Sequence, residues 1–190
     1  MRTEGRNLAN PNITAQERLI KSYAYKEGRE ACVFISHVSD NKSAAIAIGE
    51  YIRKSGIDIY LDIYDDDLQR GVVGGDDNSI TRSIEKGIDN STELLCIVSE
   101  TTKRSWWVPY EIGYGKKAAN SISTLLLKDV KDIPSYLKIS NLIKGIKGLN
   151  EYLTYLADKE KKAYFEKSLP NIQSHISSVH PLDVYMNRNV

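Results

Sequence analysis

The sequence predicts an α/β domain: a parallel five-stranded sheet with helices on both faces, plus an N-terminal helix and a C-terminal helical extension. Three observations lead there. Short aliphatic runs at residues 31–35, 57–61, 94–98 and 122–127 are bounded by polar or glycine-containing stretches, the pattern of strands buried on both faces. Segments with apolar residues at helical spacing separate them. The first run, the helical pattern after it and the second run together span about thirty residues, the size of a βαβ unit with its right-handed crossover.

Taken in order, residues 1–13 are polar, contain Asn10-Pro11 and predict a flexible lead-in. Thr14-Ala-Gln-Glu17 has the form of a capping box, so a helix is expected over 15–26, with Leu19, Ile20 and Tyr23 on one face. After the strand at 31–35 and a polar loop at 36–42, Ala44, Ala45, Ile48 and Ile52 mark a helix over 43–55 that Gly56 closes. The strand at 57–61 runs into residues 62–79, which contain three glycines (Gly71, Gly74, Gly75) and six aspartates. That composition predicts an irregular loop, one that is mobile at rest and gates activity by becoming ordered on self-association. Ser79 then reads as the cap of a helix carrying Ile80, Ile84 and Ile88. The strand at 94–98 feeds a helix that starts near 106–108, because Pro109 fits only a first turn. Beyond the strand at 122–127, the readings are an edge strand within 139–146, a helix over 149–169 interrupted by Pro170, a short helix over 171–179, and a tail from His180-Pro181. The expected organisation is an extension over 1–30, the main domain over 31–130 and a helical extension over 131–190.

Composition excludes several classes. A chain of 190 residues suits one domain with an appendage. With 26 basic and 25 acidic residues, a net charge of +1 supplies no field to attract nucleic acid or an anionic membrane. No apolar run approaches the ~20 residues of a membrane helix and the N-terminus has no signal-peptide pattern, so a cytoplasmic location is expected. Cys32 and Cys96 fall in strand runs and read as core thiols, and no spacing suggests a metal site.

The stretch that concentrates chemistry is 99–119. There a loop leaves the carboxyl end of a strand, where open α/β sheets place ligands, and Trp107 and Glu111 fall one helical turn apart. Four segments, in order, resemble the TIR domain family and its flavodoxin-like fold: Val33-Phe-Ile-Ser-His37; Asp66-Asp-Leu-Gln-Arg-Gly71; Ile84-Glu-Lys-Gly-Ile-Asp-Asn-Ser91; and Ser105-x-Trp107-x-x-x-Glu111-Ile112, which is similar to the family's Ser-x-Trp-Cys-x-x-Glu-Leu signature. The loop lacks the Pro-Gly tip of receptor-adaptor members, and the build resembles a bacterial TIR domain of antiphage defence.

This resemblance implies a NAD-cleaving enzyme with NAD as substrate and no cofactor. It carries the catalytic glutamate onto Glu111, whose bland alternative is a solvated first-turn glutamate favoured by the helix dipole. Trp107 would stack on nicotinamide or adenine, one of Trp106 and Trp107 being a core aromatic instead. Phe34, Ser36, His37 and Asp40 would line the substrate from the first strand's end, and Arg70 would contact phosphate, although a lone loop histidine or surface arginine is often incidental. Glu85 ranks behind Glu111 as the essential acid. Asp62 and Asp65 to Asp67 suggest a phospho-accepting receiver, but the positions a receiver requires hold Ser36 and Ser99. The implied partners are an effector NADase reached through a diffusible cyclic ADP-ribose isomer, a phage-derived trigger, and other copies of the chain. A non-catalytic scaffold acting by self-association is the rival reading.

Overall fold

In the computed structural model, which describes residues 4–27, 30–118, 120–159 and 179–188, five strands form one parallel sheet. They are β1 (Cys32–Ser36), β2 (Asp58–Tyr60), β3 (Glu93–Val98), β4 (Ser121–Leu126) and β5 (Asn141–Lys144), in the order β2-β1-β3-β4-β5. This is the flavodoxin-like order, with all four pairings parallel. Every residue of β1, β2 and β3 is buried, the polar Ser36, Asp58 and Glu93 included, as befits strands covered on both faces.

Side-chain alternation along these strands divides the core in two. Val33, Ile35, Ile59, Leu95 and Ile97 face one side, where they meet Ala45, Ile48 and Ile52 of α2 (Lys42–Lys54) and Leu149, Leu153 and Leu156 of α6 (Gly145–Lys159). Cys32, Phe34, Tyr60, Leu94, Cys96 and Val98 face the other, against Ile84 and Ile88 of α4 (Asp77–Asp89) and Val108 and Ile112 of α5 (Trp107–Lys117). Ile48, Ile52 and Ile88 are fully buried, each worth about 1.5–3 kcal/mol relative to exposure. Both cysteines are free and buried. Among the described residues no helix is long and apolar enough to cross a membrane.

The segment expected to be an irregular loop is largely helical. A 3-10 turn at Asp62–Tyr64 leads into α3 (Asp66–Gly74). Asp65 caps its start, accepting from the Asp67 and Leu68 N–H groups, and Gly75 ends it at φ 65°, a left-handed conformation that favours glycine. Asp76, not Ser79, then caps α4. Two of the six aspartates that argued against regular structure, Asp65 and Asp76, are therefore caps that make it. The segment expected to become ordered only on self-association is thus already folded in this structure.

Residues 4–13 of the N-terminal lead-in are also fixed rather than flexible. The Leu8 N–H donates to the Ile59 carbonyl and the Ile59 N–H to that of Arg6, so residues 6–8 run along the outer edge of β2, with Leu8 and Ala9 buried. Helix α1 (Ala15–Lys26) has the expected bounds and capping box, but Leu19, Ile20 and Tyr23 lie 56–60% exposed. Its buried residues are Lys21, Ala24 and Tyr25. The reason is Asp58: this buried carboxylate needs partners, and Lys21 Nζ (3.0 Å), Tyr25 Oη (2.8 Å) and the Arg6 N–H (2.7 Å) supply them.

At the other end, residues 180–188 form no tail. Leu182 and Met186 are buried in the core, and the Ile146 N–H donates to the Asn187 carbonyl. The expected helix over 149–169 begins earlier, at Gly145, and its continuation beyond 159 lies outside the described residues, as does nearly all of the helix expected over 171–179.

Candidate functional site

The site forms where the carboxyl ends of β1 and β3 meet the first turns of α5. Ser36 is the last residue of β1, in register with Cys96 of β3, and is 1% exposed. Helix α5 starts as the sequence requires, with Pro109 in its first turn and Ser105 Oγ accepting the Val108 N–H at 3.1 Å. Its fifth residue, Glu111, is turned onto the sheet and only 3% exposed, and Ser36 Oγ donates a hydrogen bond to Glu111 Oε2. A solvated first-turn glutamate is thereby excluded.

Burial pushes the Glu111 carboxyl up to about 8; the nearby Asp62 carboxylate adds to the shift and the Ser36 hydrogen bond opposes it. Asp62 follows β2, in the 3-10 turn. Its own carboxyl is raised, chiefly by burial, while His37 and the Ile63 N–H favour its charged form. The His37 side chain is 7% exposed, with Nδ1 3.7 Å from Asp62 Oδ1 and 3.4 Å from the Ile35 carbonyl oxygen. The Cys96 thiol, 4.0 Å from Ser36 Oγ, is pushed up to about 12 by burial and the Glu111 charge, and so is no nucleophile at neutral pH. Asn41 Nδ2 donates to Ser99 Oγ at 2.8 Å, tying the loop after β1 to the loop after β3.

Of the residues singled out from the sequence, Ser36, His37 and Glu111 come together. Trp107 stands one turn before Glu111 at the rim, 37% exposed, its ring edge-on to Tyr110 at 6.0 Å. Neither tryptophan is a core aromatic, since Trp106 is 92% exposed. Phe34 does not line the site: its ring is fully buried, stacked on Tyr60 at 5.8 Å beneath α4. Alternation explains this, because Phe34 and Ser36 share a sheet face but Phe34 lies deeper, under the helices. Asp40 is exposed on the 3-10 turn after β1.

Arg70 points elsewhere, bonding Asp67 Oδ1 at 2.5 Å in a shallow cleft of about 380 Å³ that it lines with Arg82 and Lys86 of α4. Glu85 lies on the surface of α4, where it accepts from Tyr110 Oη at 2.6 Å. Sequence reasoning missed Asp62 as a member of the site, having weighed it only as a receiver acid. The available signal was its position immediately after a parallel strand's carboxyl end, the same rule that drew attention to Trp107 and Glu111.

A buried, proton-holding carboxyl with a serine donor can do one thing well. Once ionised, it sits in a low-dielectric setting where it strongly stabilises positive charge developing beside it. The TIR domain family model matches residues 33–161, more than half of the chain. No curated protein matches the sequence.

Proposed function

This chain belongs to the TIR domain family, and on that premise we propose that it cleaves the nicotinamide–ribosyl bond of NAD, acting as a glycohydrolase or ADP-ribosyl cyclase with Glu111 as its catalytic carboxylate. The observation that carries this reading is the buried Glu111–Ser36 pair, one turn beyond Trp107 at the sheet's carboxyl edge. In the reaction the C1′–N bond breaks with its electron pair leaving on nicotinamide, which departs neutral and needs no protonating acid. The ribosyl centre becomes oxocarbenium-like, and an adjacent carboxylate lowers its energy. With its carboxyl raised to about 8, Glu111 is mostly protonated at pH 7, and the cationic nicotinamide ring of NAD would favour its ionised form. Substrate binding and deprotonation are thereby linked.

Water attacking the ribosyl centre gives ADP-ribose; a nitrogen or hydroxyl of the same substrate, losing its proton, gives a cyclic isomer. Cyclisation needs only that this group be held near the anomeric carbon. The TIR domain flanked by an N-terminal helix and a C-terminal segment resembles the TIR subunit, ThsB, of the Thoeris antiphage system. On that resemblance the product is a diffusible cyclic ADP-ribose isomer, made in the cytoplasm after a phage-derived trigger, that activates a partner NADase effector. The near-complete burial of Ser36 and Glu111 supports a resting form of low activity.

Incubation with NAD, at protein concentrations and crowding that drive self-association, followed by mass analysis of the products, tests this. Nicotinamide release that Glu111→Gln abolishes and Glu85→Gln leaves intact is expected; equal release by wild type and Glu111→Gln would overturn it. The second reading, a non-catalytic scaffold acting by self-association, is favoured by the exposed Trp106 and Val73 (92% and 91%). It predicts signalling lost in Trp106→Ala but retained in Glu111→Gln.

A further inference from the structure

Three buried side-chain polar atoms have no hydrogen-bond partner among the described residues: Arg18 Nε, Tyr152 Oη and Asp62 Oδ1. Only Asp62 belongs to the site. An unsatisfied buried acceptor costs about 1–3 kcal/mol, more when charged, and folded proteins satisfy roughly 90% or more of such groups. The His37 ring nitrogen Nδ1 stands 3.7 Å away, beyond hydrogen-bond range, and also faces the Ile35 carbonyl. The carboxylate is otherwise supported by backbone N–H groups of its own turn, and neighbouring Asp65 is engaged with Tyr60 Oη and the cap of α3. Oδ1 is thus an acceptor held in place with nothing donating to it, near Glu111 and beyond the end of the strand next to Ser36.

Resting on the NAD-cleaving reading, the geometry points to Asp62 as a substrate-contacting residue, whose Oδ1 accepts a hydrogen bond from the 2′-hydroxyl of the ribose that carries nicotinamide. That ribose must lie against Glu111, and its 2′-hydroxyl is on the carbon next to the reacting one. A hydrogen bond there strengthens as the ring takes on positive charge, because the hydroxyl becomes a better donor. The contact therefore acts mainly in the transition state. Asp62 and Glu111 divide the work, one holding the sugar and the other facing its anomeric carbon.

The test is a cycle of two proteins and two substrates. Wild type and Asp62→Asn are assayed for nicotinamide release from NAD and from its analogue lacking the 2′-hydroxyl on the nicotinamide ribose, with Asp62→Ala as second variant. On NAD, Asp62→Asn should lose at least tenfold in kcat with a much smaller change in KM. Wild type should lose a similar factor on the deoxy analogue, and Asp62→Ala should lose little more, since its contact is already gone. A melting temperature unchanged or raised in Asp62→Asn is expected, because asparagine keeps an oxygen for the N–H groups of the turn and removes a buried charge whose Oδ1 has no donor. Losses that multiply independently in both variants would overturn the assignment while leaving NAD cleavage intact. A wild type that releases no nicotinamide would overturn the proposed function, and this inference with it.

Discussion

Glu111→Gln should make the protein more stable as pH rises, and the gain can be worked from the site. The fold lifts this carboxyl from an ordinary value near 4.5 to about 8, mainly by burying it. The native state therefore holds a proton that the unfolded chain has released, and stability falls with pH across that window. Below pH 4.5 the group is protonated in both states and contributes nothing. At about 1.4 kcal/mol per pH unit, the penalty is close to 1 kcal/mol at pH 5 and roughly 4 kcal/mol at pH 8. Glutamine does not titrate and offers Ser36 Oγ a carbonyl acceptor at nearly the same volume. The gap between variant and wild type should widen by about 3 kcal/mol from pH 5 to 8. For a chain of this size 1 kcal/mol moves the melting temperature by about 2–4 °C, so the gap should grow by roughly 6–12 °C. The assay is thermal melting of both proteins at half-unit pH steps. Any constant cost of burying the glutamine amide shifts the whole difference curve and leaves its slope untouched. Parallel melting curves across pH 5–8 would mean that Glu111 titrates normally, and the argument for a proton-holding acid would go with it.

Other expectations follow from packing. Gly87→Ala should lower stability by about 1–3 kcal/mol in denaturant titration, because a Cβ there would sit 2.6 Å from Tyr60 Cε1 and 2.8 Å from Phe34 Cε2. Gly75→Ala should cost about 1–2 kcal/mol through its left-handed φ and raise proteolytic cutting between α3 and α4. Amides of α3 should exchange slowly with deuterium in the resting protein; exchange at unfolded-chain rates would restore the loop reading of this segment. Trp106→Ala should change stability by less than about 0.5 kcal/mol, given its exposure.

The sheet was legible because strands buried on both faces write themselves as unbroken aliphatic runs, as residues 94–98 do. Helices α2, α4 and α5 followed from spacing, with Pro109 marking the start of α5. Helix α3 was not, because Gly and Asp are poor helix formers; here Asp65 opens the helix and Gly75 closes it, while Leu68 and Gly71 within it are buried. The apolar stripe on α1 misled for the opposite reason. A buried ion pair with Asp58, 37 residues from Lys21, decided which face turned inward, and spacing within a helix carries no trace of it. The same holds at the site. Trp107 and Glu111 are neighbours in sequence, but Ser36 and Glu111 are 75 residues apart and Asp62 arrives from a third strand. Parallel topology brings such residues together, and residue type alone separates Phe34, which packs, from Ser36, which bonds.

The stacked Phe34 and Tyr60 rings have a role beyond filling space. They are register partners on adjacent strands, and two residues further along come Ser36 and Asp62. Gly87 lets α4 press directly onto both rings, leaving no slack beneath them. The aromatic pair thus works as a gauge block under the floor of the site, fixing how far the serine's strand stands from the aspartate's. Substituting either ring would change the span between Ser36 and Asp62 without removing either group, so the dimensions of this surface are set one layer down, in the core.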